Sequence, residues 1–350
     1  MKKVFNEFLR FIIGFGLRSY YKEIKIVGLE NIPKNKPLLI LPNHQNGLID
    51  PILIGTLCPL KPYYLARSDV FKNPLANWFL RTIQMLPIYR IRDGRNSLDK
   101  NEVIFNHCAQ LLLHNENLIM FPEGSHGIDR RVRILKNGFY HIVRRVLEQD
   151  PETDLQLLPI GFNYQHLEQF PDRVSIHIGE PLSVQELIAT VDESDRLKVL
   201  KNALRASLIK LTTHIEDQKN YAQLFEFLQY SKVDYLEPEK NNELIASYTA
   251  SKIVYTHTHH AEHPESKSKF YSNLLYVLNF PIVLLWKYLF KPQRLDLEFV
   301  STFRFVFAAI GYVLVMSCLF LISFQFFPVY LILIGMVIHY LLSRLLIKNS

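Results

Sequence analysis

Between residues 22 and 180, strand-length apolar runs alternate with longer segments of helical periodicity. The runs fall at 24–28, 38–41, 63–66, 118–121, 157–162 and 174–178, and the helical patterns between them include 97–114 and 137–147. This alternation predicts an α/β fold, a single mixed, mostly parallel sheet flanked by helices. Ser183 and Glu186 read as a capping box, and Leu197, Leu200, Leu204, Leu208 and Leu211 then mark one face of a long helix. A catalytic-sized domain is therefore expected over 22–215.

Both ends depart from that pattern. Residues 1–21 place Phe5, Phe8, Leu9, Ile12, Ile13 and Leu17 at largely helical spacing, interrupted by Glu7 and Arg10. With no small-residue cleavage site after it, the segment reads as an amphipathic helix in a membrane interface, or as a helix packed on the protein's own core. Residues 216–267 are richer in charge and predict a helical or loosely ordered polar connector. In the membrane region, 268–350, no Asp, Glu, Lys or Arg occurs between Arg304 and Arg344. That length suits two passes through a hydrocarbon core about 30 Å thick, so 305–346 is expected to form a transmembrane hairpin turning near Pro328. Lys287, Lys291, Arg294 and Arg304 precede the hairpin and Lys348 follows it, which assigns both of its ends to the cytoplasm. The stretch 270–290 carries Asn279-Phe280-Pro281 at its centre and is expected to be re-entrant or interfacial, folded at Pro281. That arrangement keeps the catalytic domain on the cytoplasmic face.

Composition narrows the partners. The chain has 350 residues, 49% of them hydrophobic, with three scattered cysteines and a net charge of +7. Disulfide frameworks and disordered chains are excluded, while the positive charge favours a nucleic acid, an anionic leaflet or a phosphorylated substrate. His257, His259, His260 and His263 form a cluster in the polar connector, supported only by Glu262, and read as a solvated linker. No metal and no cofactor is expected.

Two loops that follow apolar runs carry groups suited to chemistry. In Pro42-Asn43-His44-Gln45-Asn46-Gly47-Leu48-Ile49-Asp50, an imidazole base is followed by a carboxylate able to hold its tautomer. Alone, this segment is equally well a polar turn. In Phe121-Pro122-Glu123-Gly124-Ser125-His126-Gly127, glycines permit close backbone approach, and Asp129, Arg130, Arg131, Arg133 and Lys136 follow at once. The pattern suits phosphate binding, or alternatively a turn leading into a solvated basic helix. Glu123 stands where a nucleophile elbow around Ser125 would need glycine, which disfavours a serine hydrolase. Arg90, leaving the short run Pro87-Ile88-Tyr89, is a candidate phosphate clamp. Pro159, inside 157–161, suggests an edge or bulge where a ligand approaches.

Taken in order, these four blocks resemble the glycerolipid phosphate acyltransferases, the lysophosphatidic acid and glycerol-3-phosphate acyltransferases, over about residues 25–180. The five residues between His44 and Asp50, the presence of Asn46, and Ser125-His126 after Phe-Pro-Glu-Gly are most similar to the fungal-type glycerol-3-phosphate/dihydroxyacetone-phosphate acyltransferases. The resemblance implies His44 as base and Asp50 as its partner. It further implies Asn46, Arg90, Glu123, Gly124, Ser125, His126 and Pro159 as substrate-binding residues. The reaction it implies is direct transfer from acyl-CoA or acyl carrier protein to a hydroxyl of glycerol 3-phosphate, dihydroxyacetone phosphate or 1-acylglycerol 3-phosphate, with membrane lipids as partners and no nucleic acid. The competing readings are a lipid esterase using Ser125 and an inactive membrane scaffold.

Overall fold

A computed structural model of the chain describes residues 2–89, 97–251, 266–289 and 297–350. Its strands are β1 (Glu23–Val27), β2 (Leu38–Pro42), β3 (Tyr63–Arg67), β4 (Met85–Ile88), β5 (Asn117–Ile119), β6 (Gln156–Tyr164), β7 (Arg173–Ile178) and β8 (Leu182–Ser183). They form one sheet in the order β1-β7-β6-β2-β5-β3-β4, with β8 beside β6. From β6 to β4 every neighbour is parallel; β7 and β8 run antiparallel to β6, and β1 is parallel to β7. The fold is the mixed, mostly parallel α/β sheet that the alternation predicts.

The strand period of two distributes side chains between two cores. Leu39, Leu41 and Leu157 join Phe105, Leu112, Phe139, Val143, Leu204 and Leu208 on one face, contributed by helices Ser97–Leu113, Gly138–Gln149 and Glu193–Leu211. Leu38, Ile40, Leu158, Ile160 and Phe162 meet Leu17, Tyr20, Ile49, Leu53 and Phe305 on the other. Burial on both faces explains why β2 and β6 read as unbroken apolar runs rather than alternating ones. Of the edge or bulge that Pro159 suggests, the edge is corrected. The residue lies inside the sheet opposite Leu41 of β2, and its carbonyl accepts a bond from Gly179 N at 2.9 Å. A residue without N–H is tolerated there because the other neighbour of β6 changes from β8, paired up to Leu157, to β7, paired from Ile160, which interrupts that ladder.

The parallel strands β2 and β5 are adjacent, so their carboxyl ends bring residues 43–48 and 120–127 to one edge of the sheet. Ligands bind at this edge in open α/β sheets. β4 ends at the same edge, where the Tyr89 peptide is held on both sides by Asn101 at 2.8 and 2.7 Å. Arg90 and the histidine cluster lie outside the described residues.

The N-terminal helix Lys2–Tyr20 has two characters. Leu17 and Tyr20 are buried in the core, whereas Val4, Phe5, Phe8, Phe11, Ile12 and Phe15 are exposed. The two charges that interrupt its pattern bind the domain: Arg10 Nη1 donates to Leu60 O at 2.6 Å, and Glu7 pairs with Lys61. The polar connector is ordered over its described part. Helices Tyr221–Tyr230 and Pro238–Ser251 form a small core with Ile215, Leu224, Leu228 and Tyr235, and Asp234 pairs with Arg173 of β7 at 3.0 Å.

In the C-terminal region, Lys269–Leu278 and Phe280–Leu289 meet at an angle of 89°. The break falls at Asn279, whose carbonyl accepts from Ile282 N at 3.0 Å; Pro281 sits in the first turn of the next helix, where its missing N–H costs nothing. Two further helices, Phe299–Ser323 and Val329–Asn349, are long and apolar enough to cross a membrane. The helix that holds the first of these spans begins at Leu297, earlier than the sequence reading places it; Val300 is buried in its opening turns, and Phe305 joins the core around Leu17 and Ile49.

Candidate active site

His44 and Asp50 meet at the carboxyl edge. His44 Nδ1 lies 2.9 Å from Asp50 Oδ2, and Asp50, in the first turn of helix Ile49–Leu57, is fully buried. The same carboxylate oxygen accepts from the backbone N–H groups of Gln45 (2.9 Å) and Asn46 (2.8 Å). The other oxygen accepts from the Tyr164 hydroxyl at 2.5 Å. Tyr164 remains a donor because burial, reinforced by the negative charge of Asp50, pushes its phenol well above the ordinary range. With Nδ1 turned to the carboxylate, the His44 tautomer that presents Nε2 as acceptor is selected.

Packing fixes the ring as well. The His44 imidazole stacks on Phe121, centroids 3.9 Å apart, and His126 approaches it edge-on at 5.5 Å. Asn43 pins the base of the loop to β6, its Oδ1 accepting from Phe162 N at 2.7 Å and its Nδ2 donating to Phe162 O at 3.3 Å.

The second loop is organised by Arg133. Its Nε and Nη2 donate to Glu123 Oε2 at 2.9 and 2.5 Å, its backbone N–H donates to Glu123 Oε1, and Glu123 is 4% exposed. Nη1 donates to Ser125 Oγ at 3.0 Å and His126 O at 2.8 Å, while Nη2 also reaches Ser125 O and, at 3.4 Å, His44 O. One planar guanidinium therefore joins the two loops, assisted by Gly127 N donating to His44 O at 3.1 Å. Gly124 adopts φ +75°, a left-handed turn that a side chain would strain. In this arrangement Glu123 faces an arginine rather than an anion. The Ser125 hydroxyl is held by a group that donates protons and takes none, which is not how a nucleophilic serine is activated.

The basic run after the turn divides. Arg130 is buried over the Tyr235 ring at 3.8 Å and its Nη2 donates to Gln165 O, so it fastens the connector. Arg133 is occupied by Glu123. Lys136 is exposed and packs against Gly124, where a Cβ would lie 3.1 Å from Lys136 Cγ.

Residues 23–163 match the family model described as Acyltransferase. Over that stretch the chain is similar to acyltransferases. Over 146 residues it is 25% identical to the chloroplastic 1-acyl-sn-glycerol-3-phosphate acyltransferase LPAT1 of Arabidopsis thaliana, covering 41% of this chain and 39% of that protein. It is 24% identical over 119 residues to glycerol-3-phosphate O-acyltransferase 1 of Saccharomyces cerevisiae, covering 33% of this chain and 16% of that one. The chain thus spans well under half the length of these curated relatives. The crystal structure of the 1-acyl-sn-glycerophosphate acyltransferase PlsC of Thermotoga maritima aligns with a TM-score of 0.40 at 20% identity, covering 57% of this chain and 78% of that one.

Some groups around His44 escape sequence reading of the matched stretch. Tyr164 stands just past the matched stretch, at the end of a buried strand where an aromatic looks like core; its hydroxyl is the only hint. Replacing it by phenylalanine keeps the packing and removes one donor from a buried carboxylate, an interaction worth about 1.5–3 kcal/mol. Tyr164→Phe is expected to lower kcat about tenfold, or somewhat more, with KM little changed, as measured by initial rates. An unchanged kcat would remove Tyr164 from the site.

Proposed function

We propose that the chain is a membrane-attached O-acyltransferase. It moves a fatty acyl group from acyl-CoA or acyl carrier protein to a hydroxyl of glycerol 3-phosphate, dihydroxyacetone phosphate or 1-acylglycerol 3-phosphate. The observation that carries this reading is the His44–Asp50 contact, braced by three further donors and lying beside a glycine turn at the carboxyl edge. His44 Nε2 takes the proton of the acceptor hydroxyl as its oxygen attacks the thioester carbonyl. The carbon–sulfur bond then breaks, and the imidazolium returns the proton to the leaving thiolate. Backbone N–H groups of the two loops are the candidate donors to the oxyanion. Ser125 and His126 line the acceptor side, and the acceptor's phosphate is held by cations, the exposed Lys136 beside Gly124 and Arg90, which follows β4 in the sequence. Glu123 acts on substrate through the groups it orients.

The catalytic domain works on the cytoplasmic face, with the bent pair at 269–289 re-entrant or interfacial and the exposed aromatic face of Lys2–Tyr20 in the interface. Sealed membrane vesicles of defined orientation, given labelled acyl-CoA and each acceptor in turn, test both parts. The expected product is an acylated glycerol phosphate, formed only when the thioester is supplied on the cytoplasmic side. Labelled free fatty acid as sole product would favour the esterase, and absence of turnover with every acceptor would favour the scaffold.

A further inference from the structure

Polar residues are buried where the first membrane helix begins. Ser301 and Thr302 are 3% and 2% exposed, and both hydroxyls are engaged by the catalytic domain. Ser301 Oγ donates to Leu167 O. Thr302 Oγ1 donates to Asn46 Oδ1 at 3.1 Å and accepts from Leu48 N at 3.2 Å, so one hydroxyl ties two points of the loop between His44 and Asp50. One turn earlier, Phe299 lies against Gly47 so closely that a Cβ there would fall 2.4 Å from its ring, and the same ring meets His126 edge-on at 4.6 Å.

We propose that the head of this membrane helix is part of the active site, with Thr302 the residue that positions the His44–Asp50 loop. The chain of contacts is continuous. Thr302 fixes the Asn46 amide, the Asn46 backbone N–H donates to Asp50 Oδ2, and that oxygen holds His44 Nδ1. Fixing Oδ1 also determines where Nδ2 points, and Asn46 Nδ2 is buried with no hydrogen-bond partner among the described residues. A buried donor kept unmatched in this way is a donor for a ligand, here the bound acceptor or the reacting carbonyl. Residues 297–302 lie far outside the matched stretch 23–163, so the loop between His44 and Asp50 is completed by a segment whose continuation is long and apolar enough to cross a membrane.

The kinetic part of this inference rests on the acyl-transfer reading, and the structural part does not. The full-length protein in lipid nanodiscs is compared with Thr302→Val, which keeps shape but loses the hydroxyl, and Thr302→Ser, which keeps the hydroxyl. Initial rates with acyl-CoA and glycerol 3-phosphate give kcat and KM, and hydrogen–deuterium exchange follows the peptide spanning 43–50. Thr302→Val is expected to lower kcat at least tenfold with KM within about threefold, and to speed exchange in that peptide; Thr302→Ser is expected to restore both. Wild-type kcat in Thr302→Val, or a loss that Thr302→Ser shares equally, overturns the positioning role. If the parent protein transfers no acyl group, the functional reading fails, and unchanged exchange in Thr302→Val would separately overturn the contact.

Discussion

Alanine in place of His44 is expected to lower acyl transfer to about 0.1% of the parent rate, with a much smaller effect on thermal stability. General-base assistance supplies about 10²–10⁴ in rate, and His44 is the imidazole held on the buried Asp50 carboxylate. His126 is near, at 5.5 Å between centroids, and its ring meets Phe299 edge-on at 4.6 Å. The His44 side chain is 12% exposed, so truncation also removes its stack on Phe121 and one partner of the buried Asp50, which keeps its three other donors. Asp50→Asn should fall almost as far, because an amide can turn its own N–H toward Nδ1 and select the wrong tautomer. Single-turnover rates with labelled acyl-CoA measure the loss. A His44→Ala protein retaining a tenth of the parent rate would show that the base lies elsewhere.

Legibility in the sequence followed the range of each contact. His44 and Asp50 are six residues apart and belong to one loop, so local pattern suffices to pair them. Strand and helix alternation is equally local, which is why the sheet and its flanking helices could be read from it. Tyr164 meets Asp50 across 114 residues and Thr302 meets Asn46 across 256, and neither separation leaves a periodic mark. Pro159 misleads for a related reason. Proline argues for an edge only when both ladders beside it are continuous, and the switch from β8 to β7 is a property of the assembled sheet. Thr302 is hidden by composition too, since a threonine among phenylalanines reads as a tolerated polar residue at the start of a membrane helix.

Glu123→Gln is the substitution expected to damage both stability and activity most broadly. An amide of nearly the same shape leaves Arg133 without its charge partner at a position where the carboxylate is 2% exposed. Breaking a buried pair from one side costs about 3–5 kcal/mol; because a fifth of the Arg133 side chain reaches solvent, about 2–4 kcal/mol is the reasonable expectation here. The same guanidinium holds Ser125, the His126 carbonyl and the His44 carbonyl, so loosening it shifts both loops and should cost about 10²-fold in kcat/KM. Arg133→Lys should fare little better, because an ammonium cannot span Glu123 and the turn together. Pairing Glu123→Gln with Arg133→Met should be less unstable than the two single losses added, since the unpaired buried charge is gone. Melting temperature and initial rates, measured on the same samples, separate this role from substrate binding. If Glu123 instead held the acceptor directly, Glu123→Gln would raise KM for the acceptor while the melting temperature stayed at the parent value.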